Sequence, residues 1–224
     1  MSKLKTFNEF LNENLWADLQ DRSSGEVTRK EDRIKTKEEL IERVKGEYEK
    51  QNSAETHILD LTMLDVSNVK DMSELFDEDF TTITTLDVSN WNVSNVEDMS
   101  YMFYNCENLQ TLDVSKWDVS NVKDMCDMFW SCKNLQVLDV SNWKVSNVED
   151  MGGMFWYCEN LQTLDVSNWD VSNVRTMDFM FSDCENLQTL DVSNWNIYNV
   201  RIMKGMFSKC PVQYIKKGNK LIKR

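Results

Sequence analysis

Three columns of chemically capable side chains run through this sequence at one interval. Cys106, Cys132, Cys158, Cys184 and Cys210 recur every 26 residues. This row of thiols could cross-link, hold a metal or fill a core. Asp87, Asp113, Asp139, Asp165 and Asp191 keep the same interval, as do Trp91, Trp117, Trp143, Trp169 and Trp195. A carboxylate row could gather cations or a basic partner, and an indole row could stack on sugar rings.

Each column can be weighed. Stacked copies would set neighbouring cysteines about 5 Å apart, inside the disulfide range of about 4.4–6.8 Å. Five members cannot all pair, however, and free Cys is a good small core residue. Zinc is badly served, because there is no Cys-x-x-Cys and the single histidine is His57. Buried thiols are the better reading. Neighbouring aspartates at about 5 Å would repel by roughly 0.8 kcal/mol per pair in water. The carboxylates are therefore bonded locally to turn N–H groups or indoles, or they await a basic partner or calcium. The glycine-rich calcium repeat is absent. Leu64 fills the tryptophan position in the first copy, which favours packing over sugar stacking. A phosphate loop, a nucleophile elbow and a histidine within the repeats are all missing, so no enzyme and no cofactor is expected. The acidic pairs Glu97-Asp98 and Glu149-Asp150 read as helix starts that favour the helix dipole.

The elements that would position these columns follow from the remaining spacing. Leu86, Leu112, Leu138, Leu164 and Leu190 recur with Phe103, Phe129, Phe155, Phe181 and Phe207. A divergent copy opens at Leu59, and the last is incomplete at Pro211. In LQTLDVS, Leu109, Leu112 and Val114 follow L-x-x-L-x-L, and the last two alternate with Asp113 and Ser115, a short strand with one face buried. Ser120-Asn121 then precedes Val122, Met125, Met128, Phe129 and Cys132, spacing that predicts a short helix. The fold class is α/β: a right-handed, leucine-rich-repeat-like solenoid of about six 26-residue coils, one short strand plus one short helix each.

Residues 58–211 form this solenoid, 1–57 an N-terminal helical region and 212–224 a basic C-terminal cap or tail. In the first region Thr6 with Glu9, and Thr36 with Glu39, are capping boxes opening two amphipathic helices. Phe7, Phe10, Leu11, Leu15, Trp16 and Leu19 mark the first; Leu40, Ile41, Val44 and Tyr48 mark the second. Residues 201–224 hold eight bases and no acid, leaving 17 bases against 38 acids in residues 1–200. Such a tail is a solvated end or, less often, a docking strip for an acidic partner.

The formal charge of −13 opposes non-specific binding to nucleic acid or anionic membrane. No signal peptide and no apolar run near 20 residues is read, so membrane insertion is not expected. Reduced thiols fit that compartment.

The words DVSNWDVSNV and MSYMF resemble the 26-residue repeat of the BspA-like leucine-rich repeat family of bacterial surface proteins. The resemblance covers about residues 58–211 and implies a solenoid that binds other macromolecules, often in adhesion. The opening KLKTFNEFLNE resembles short N-terminal segments of tailed-phage proteins, which implies a virion-associated or host-directed protein. A cytoplasmic or virion location is then favoured over the cell surface.

Columns that never change between copies are core; columns that vary face outward. The variable ones carry Tyr101, Tyr104, Trp130, Trp156, Tyr157 and Phe179, interrupted by Gly152 and Gly153. They form the candidate binding surface for a protein or glycan, unless the N-terminal helices cover them. The aspartate column is the alternative face. Trp130 and Trp156 are the expected anchors, with Tyr104 completing the stripe.

Overall fold

A computed structural model describes residues 33–52, 57–76 and 80–223. The first expected helix, over Phe7 to Leu19, and the KLKTFNEFLNE segment lie outside the described residues.

The second expected helix is present as α1, Lys37–Asn52. Thr36 caps it, with the Glu39 N–H donating to Thr36 Oγ1 at 3.2 Å and Glu39 Oε2 accepting from the Lys35 N–H at 3.0 Å. Glu38 and Glu39 sit in its first turn and Lys50 in its last, as the helix dipole favours. Leu40 and Val44 are fully buried, with Ile41 and Tyr48 packed beside them. α1 closes the stack at the first copy. The Gln51 amide brackets Asp60, accepting from its N–H at 2.8 Å and donating to its carbonyl at 2.9 Å. That bond covers the open edge of β1, Ile58–Asp60.

β1 pairs in parallel with β2, Thr85–Asp87, and β2 with β3, Thr111–Leu112. The register places Leu59, Leu86 and Leu112 in one row, so the leucine column is the sheet's buried row. Further along, this line continues as single bridges from Val137 to Thr163 to Thr189. A second parallel line joins Asp71, Asp98, Asp124, Asp150, Thr176 and Ile202, one from each copy.

Among the described residues, turns stand where a short helix was expected in each copy. Residues 99–105 form a chain of turns. The N–H groups of Met99, Tyr101, Phe103 and Asn105 donate to Asp124, Cys126, Met128 and Trp130 of the next copy, at 2.8–3.0 Å. Met102, Tyr104 and Cys106 donate three residues back within their own copy. An α-helix would direct every N–H into its own chain and leave nothing for the neighbour. Left-handed residues enforce the alternative: φ is +57° at Tyr101 and +61° at Asn105, and both columns repeat it through Lys209.

Side chains reinforce the stacking. Phe76, Phe103, Phe129, Phe155, Phe181 and Phe207 stack in one file with centroids 5.3–5.7 Å apart. The tryptophan file runs parallel, at 6.3–6.5 Å and within 3° of coplanar orientation. Each buried indole donates to a carbonyl of the copy before it: Trp91 to Leu61, Trp117 to Val88, Trp143 to Val114, Trp169 to Val140 and Trp195 to Val166. On the outside, Asn95, Asn121, Asn147, Asn173 and Asn199 donate to the preceding copy's carbonyl at 2.6–2.7 Å.

The C-terminal region is not a solvated tail but a hairpin: β4, Tyr214–Lys217, antiparallel to β5, Lys220–Lys223. Gly218, with φ +63°, takes the first position of the two-residue turn. Val212, Tyr214 and Leu221 are buried against the last copy. The Tyr214 hydroxyl donates to the Leu190 carbonyl at 2.8 Å, and the Ile197 N–H to the Asn219 carbonyl at 3.0 Å. Among the described residues, no helix is long and apolar enough to cross a membrane.

Candidate functional site

The six variable aromatics, Tyr101, Tyr104, Trp130, Trp156, Tyr157 and Phe179, are all half-buried and lie in one contiguous surface over four copies. Tyr104 stacks on Trp130 at 4.4 Å and 10°, and Trp156 on Phe179 at 4.7 Å and 14°. Trp130 meets Trp156 edge-on, at 6.2 Å and 85°. Tyr101 leans on Tyr104, and Tyr157 on Trp156. The expected stripe of Tyr104, Trp130 and Trp156 therefore exists, but it bends at the third ring. The cause is Asp183, whose Oδ2 accepts from the Trp156 indole at 3.2 Å and from the Ser182 hydroxyl at 2.7 Å. Burial alone would raise this carboxyl; Lys209, at 2.6 Å, together with Ser182 and Trp156, holds it below the usual range.

α1 does not reach these rings. Its side-chain bonds run to Ser73, Asp60 and Thr82, at the first copy and the start of the second.

Backbone conformation explains Gly153 and, two copies on, Gly205. Gly153 has φ +58°, and a Cβ there would lie 1.9 Å from Asp127 Oδ1. At Gly205, φ +66°, a Cβ would lie 2.6 Å from the Phe179 ring. Side chains of this column lean over the following copy, and glycine makes the room. Beside Asp127, Cys126 is the sixth cysteine, half-buried, with its Sγ 3.3 Å from Asp127 Oδ2 and 4.0 Å from the Tyr101 hydroxyl. Burial, then the Asp127 charge, push its thiol up.

The alternative face is locally satisfied. In Asp87, Asp113, Asp139, Asp165 and Asp191, Oδ1 accepts from the serine N–H two residues on, at 2.9–3.1 Å. The first four also accept that serine's hydroxyl at 2.7 Å. These carboxylates close turns. Asp87 is buried, and burial, opposed by Ser89, raises its carboxyl. The cysteine ladder is free and buried: Cys132, Cys158 and Cys184 donate to the carbonyls of Phe103, Phe129 and Phe155 at 3.1–3.2 Å.

The acidic pairs read as helix starts have another role. Asp98 Oδ1 accepts from the Ser100 N–H and hydroxyl, closing a turn. Glu97 lies between Lys70, at 3.1 Å, and Lys123, at 2.6 Å, and its bonds to Lys123 and Lys70 lower its carboxyl to about 2. Glu149 pairs with Arg175 at 2.7 Å. The column 70, 97, 123, 149, 175 thus alternates in sign. That signal was readable in the repeats and was missed, because it was assigned to helix dipoles.

These features define a stacked-repeat protein: invariant columns bury a continuous core, and variable columns make the surface. Residues 44–138 and 132–217 match the family described as "Mycoplasma protein of unknown function, DUF285", and the chain belongs to that family. No curated protein matches it. Among solved structures, it is similar to a chain of the "Crystal structure of TLR13-ssRNA13 complex", at 18% identity and TM-score 0.39. That likeness covers 79% of this chain, which spans 26% of the other.

Proposed function

We propose that the protein is a non-enzymatic recognition scaffold. On this reading it is a solenoid of six 26-residue coils that binds a protein or glycan partner through the aromatic surface centred on Trp130 and Trp156. One observation carries the reading: the columns that vary between copies gather Tyr104, Trp130, Trp156 and Phe179 into touching, half-exposed rings. The invariant aromatics are buried in the core. Half-exposed aromatic clusters concentrate binding energy at interfaces.

The test uses a photo-cross-linking residue at Tyr104 to capture the partner, with Lys116 as the control position. Affinity is then measured for Trp130→Ala and Trp156→Ala across ionic strength. The expected loss is roughly 2 kcal/mol or more for either variant, with weak salt dependence. A steep salt dependence that is abolished by Asp139→Asn and indifferent to Trp156→Ala would move the site to the aspartate column.

A further inference from the structure

Every internal junction of the stack uses the same backbone groups. The carbonyl of Lys70, Glu97, Lys123, Glu149 or Arg175 accepts the N–H of the equivalent residue in the next copy. Four alternate N–H groups then donate forward; in the fourth copy these are Met151, Gly153, Phe155 and Tyr157. In the last copy the corresponding groups are the Arg201 carbonyl and the N–H groups of Met203, Gly205, Phe207 and Lys209. Among the described residues these five find no partner. The hairpin reaches this end without pairing these five groups: its bonds run to Leu190, Val192 and Ile197, Tyr214 packs on the Phe207 ring at 5.5 Å, and Gln213 donates to the Phe207 carbonyl at 2.9 Å.

The charges at this edge are equally incomplete. Lys70, Glu97, Lys123, Glu149 and Arg175 alternate in sign and pair down the stack. Arg201 breaks the alternation: it is exposed, follows Arg175, and has no ion pair among the described residues. A glutamate one step beyond it would restore the pattern. Lys204 is exposed at the same edge, and Ile202 is 52% exposed. An edge with one acceptor, four donors and excess positive charge is a template for strand-like addition.

We propose that this edge, from Arg201 to Lys209, docks an acidic peptide segment of another protein. The segment adds to the stack as its next outer turn, with a glutamate paired to Arg201. A second copy of this chain is disfavoured as occupant. The turn it would have to present carries Lys70 at the position that would meet Arg201, like charge against like, and Lys37 of α1 reaches over that turn to Ser73 and Asp71.

The probe is a fluorescein-labelled peptide with the sequence of residues 97–105, Glu-Asp-Met-Ser-Tyr-Met-Phe-Tyr-Asn, titrated with the full chain and read by anisotropy. Saturable binding is expected, and Arg201→Glu should weaken it by about three- to tenfold, because an exposed ion pair is replaced by repulsion. A peptide carrying Glu97→Lys should bind the Arg201→Glu protein in preference to wild type. Amide exchange at Met203, Gly205 and Phe207 should slow on binding, while Tyr104→Ala, at the far end of the aromatic surface, leaves the peptide affinity unchanged, which separates the two sites. The proposal is overturned if the peptide does not bind, or if the charge swap fails to restore affinity. It is also overturned if those amides become protected as the free protein is concentrated, which would give the edge to a second copy.

Discussion

Adjacent residues Phe155 and Trp156 test the division into core and surface columns. Phe155 is fully buried and lies between Phe129, at 5.6 Å, and Phe181, at 5.7 Å, nearly parallel to both. Truncation to alanine opens a cavity inside the file and removes both stacking contacts. Flanking copies are held by backbone bonds on each side of it, such as Phe155 N–H to the Met180 carbonyl at 3.0 Å, so the site cannot collapse freely. Phe→Ala at such a site costs about 3–5 kcal/mol. For a chain of this length that is a fall in Tm of roughly 6–20 °C.

Trp156→Ala loses the close Phe179 contact, about 0.5–1.5 kcal/mol, the more distant Tyr157 and Trp130 contacts, and one hydrogen bond to Asp183. Lys209 and Ser182 still hold that carboxylate, so its desolvation is not left uncompensated. The total expected is about 2–3 kcal/mol, still below the loss for Phe155→Ala. Urea unfolding followed by circular dichroism gives both values on the same scale. Equal losses for the two variants, or a larger one for Trp156→Ala, would refute the assignment of core and surface.

Three further outcomes are expected. Gly153→Ala should destabilise by about 1–2 kcal/mol for the left-handed backbone alone, and by more until Asp127 moves; Gly46→Ala, in α1 with nothing within 4 Å of its Cβ position, should instead gain about 0.5–1 kcal/mol. In native protein, Cys132, Cys158 and Cys184 should resist thiol reagents, because burial pushes their thiols up, and unfolding without reductant should release six reactive thiols by mass spectrometry. Burial, then repulsion from Asp150, Asp98 and Asp127, raises the Asp124 carboxyl against the Cys126 N–H. A raised carboxyl means the native state binds its proton more tightly, so this group's contribution to stability falls as pH rises from the unfolded value, about 3.9, through the folded one. Asp124→Asn keeps the acceptor for Cys126 and should raise Tm at pH 7, with the gain vanishing in acid; no gain at pH 7 would refute it.

Stacking order was legible from residues, because copies within one chain reveal which columns cannot change. Leu, Trp, Phe and Cys positions all proved to be files running through the core. The turn chain was not legible. Met125, Met128, Phe129 and Cys132 have spacing that a helix would satisfy, and apolar periodicity reports which side chains face inward but not where the N–H groups point. Tyr101 and Asn105 at positive φ decide that; Asn105, Asp127, Gly153, Asp183 and Gly205 are residue types that favour it, but Tyr101, Tyr157 and Phe179 in the same columns are not. The hairpin did carry a signal, Gly218-Asn219 between two short runs, that was read only as basic charge. Which aromatics share the outer surface could be read from variability, whereas the turned ring of Trp156 could not. Its partner, Asp183, is 27 residues away in sequence.

The variable columns are less independent than their variability suggests. The column through Tyr101, Asp127, Gly153, Phe179 and Gly205 has positive φ throughout, and its side chains lean onto the following copy. As placed, the Asp127 side chain leaves no room for a Cβ at 153 and the Phe179 ring none at 205, whereas Tyr101 is followed by Asp127. Trp156 and Asp183 are coupled in the same forward direction through one hydrogen bond. Each copy thus constrains the surface residues of the next, even where neither touches the core. A substitution at 127, 156 or 179 is then felt one copy on, at 153, 183 or 205, while the backbone ladder beneath it stays the same.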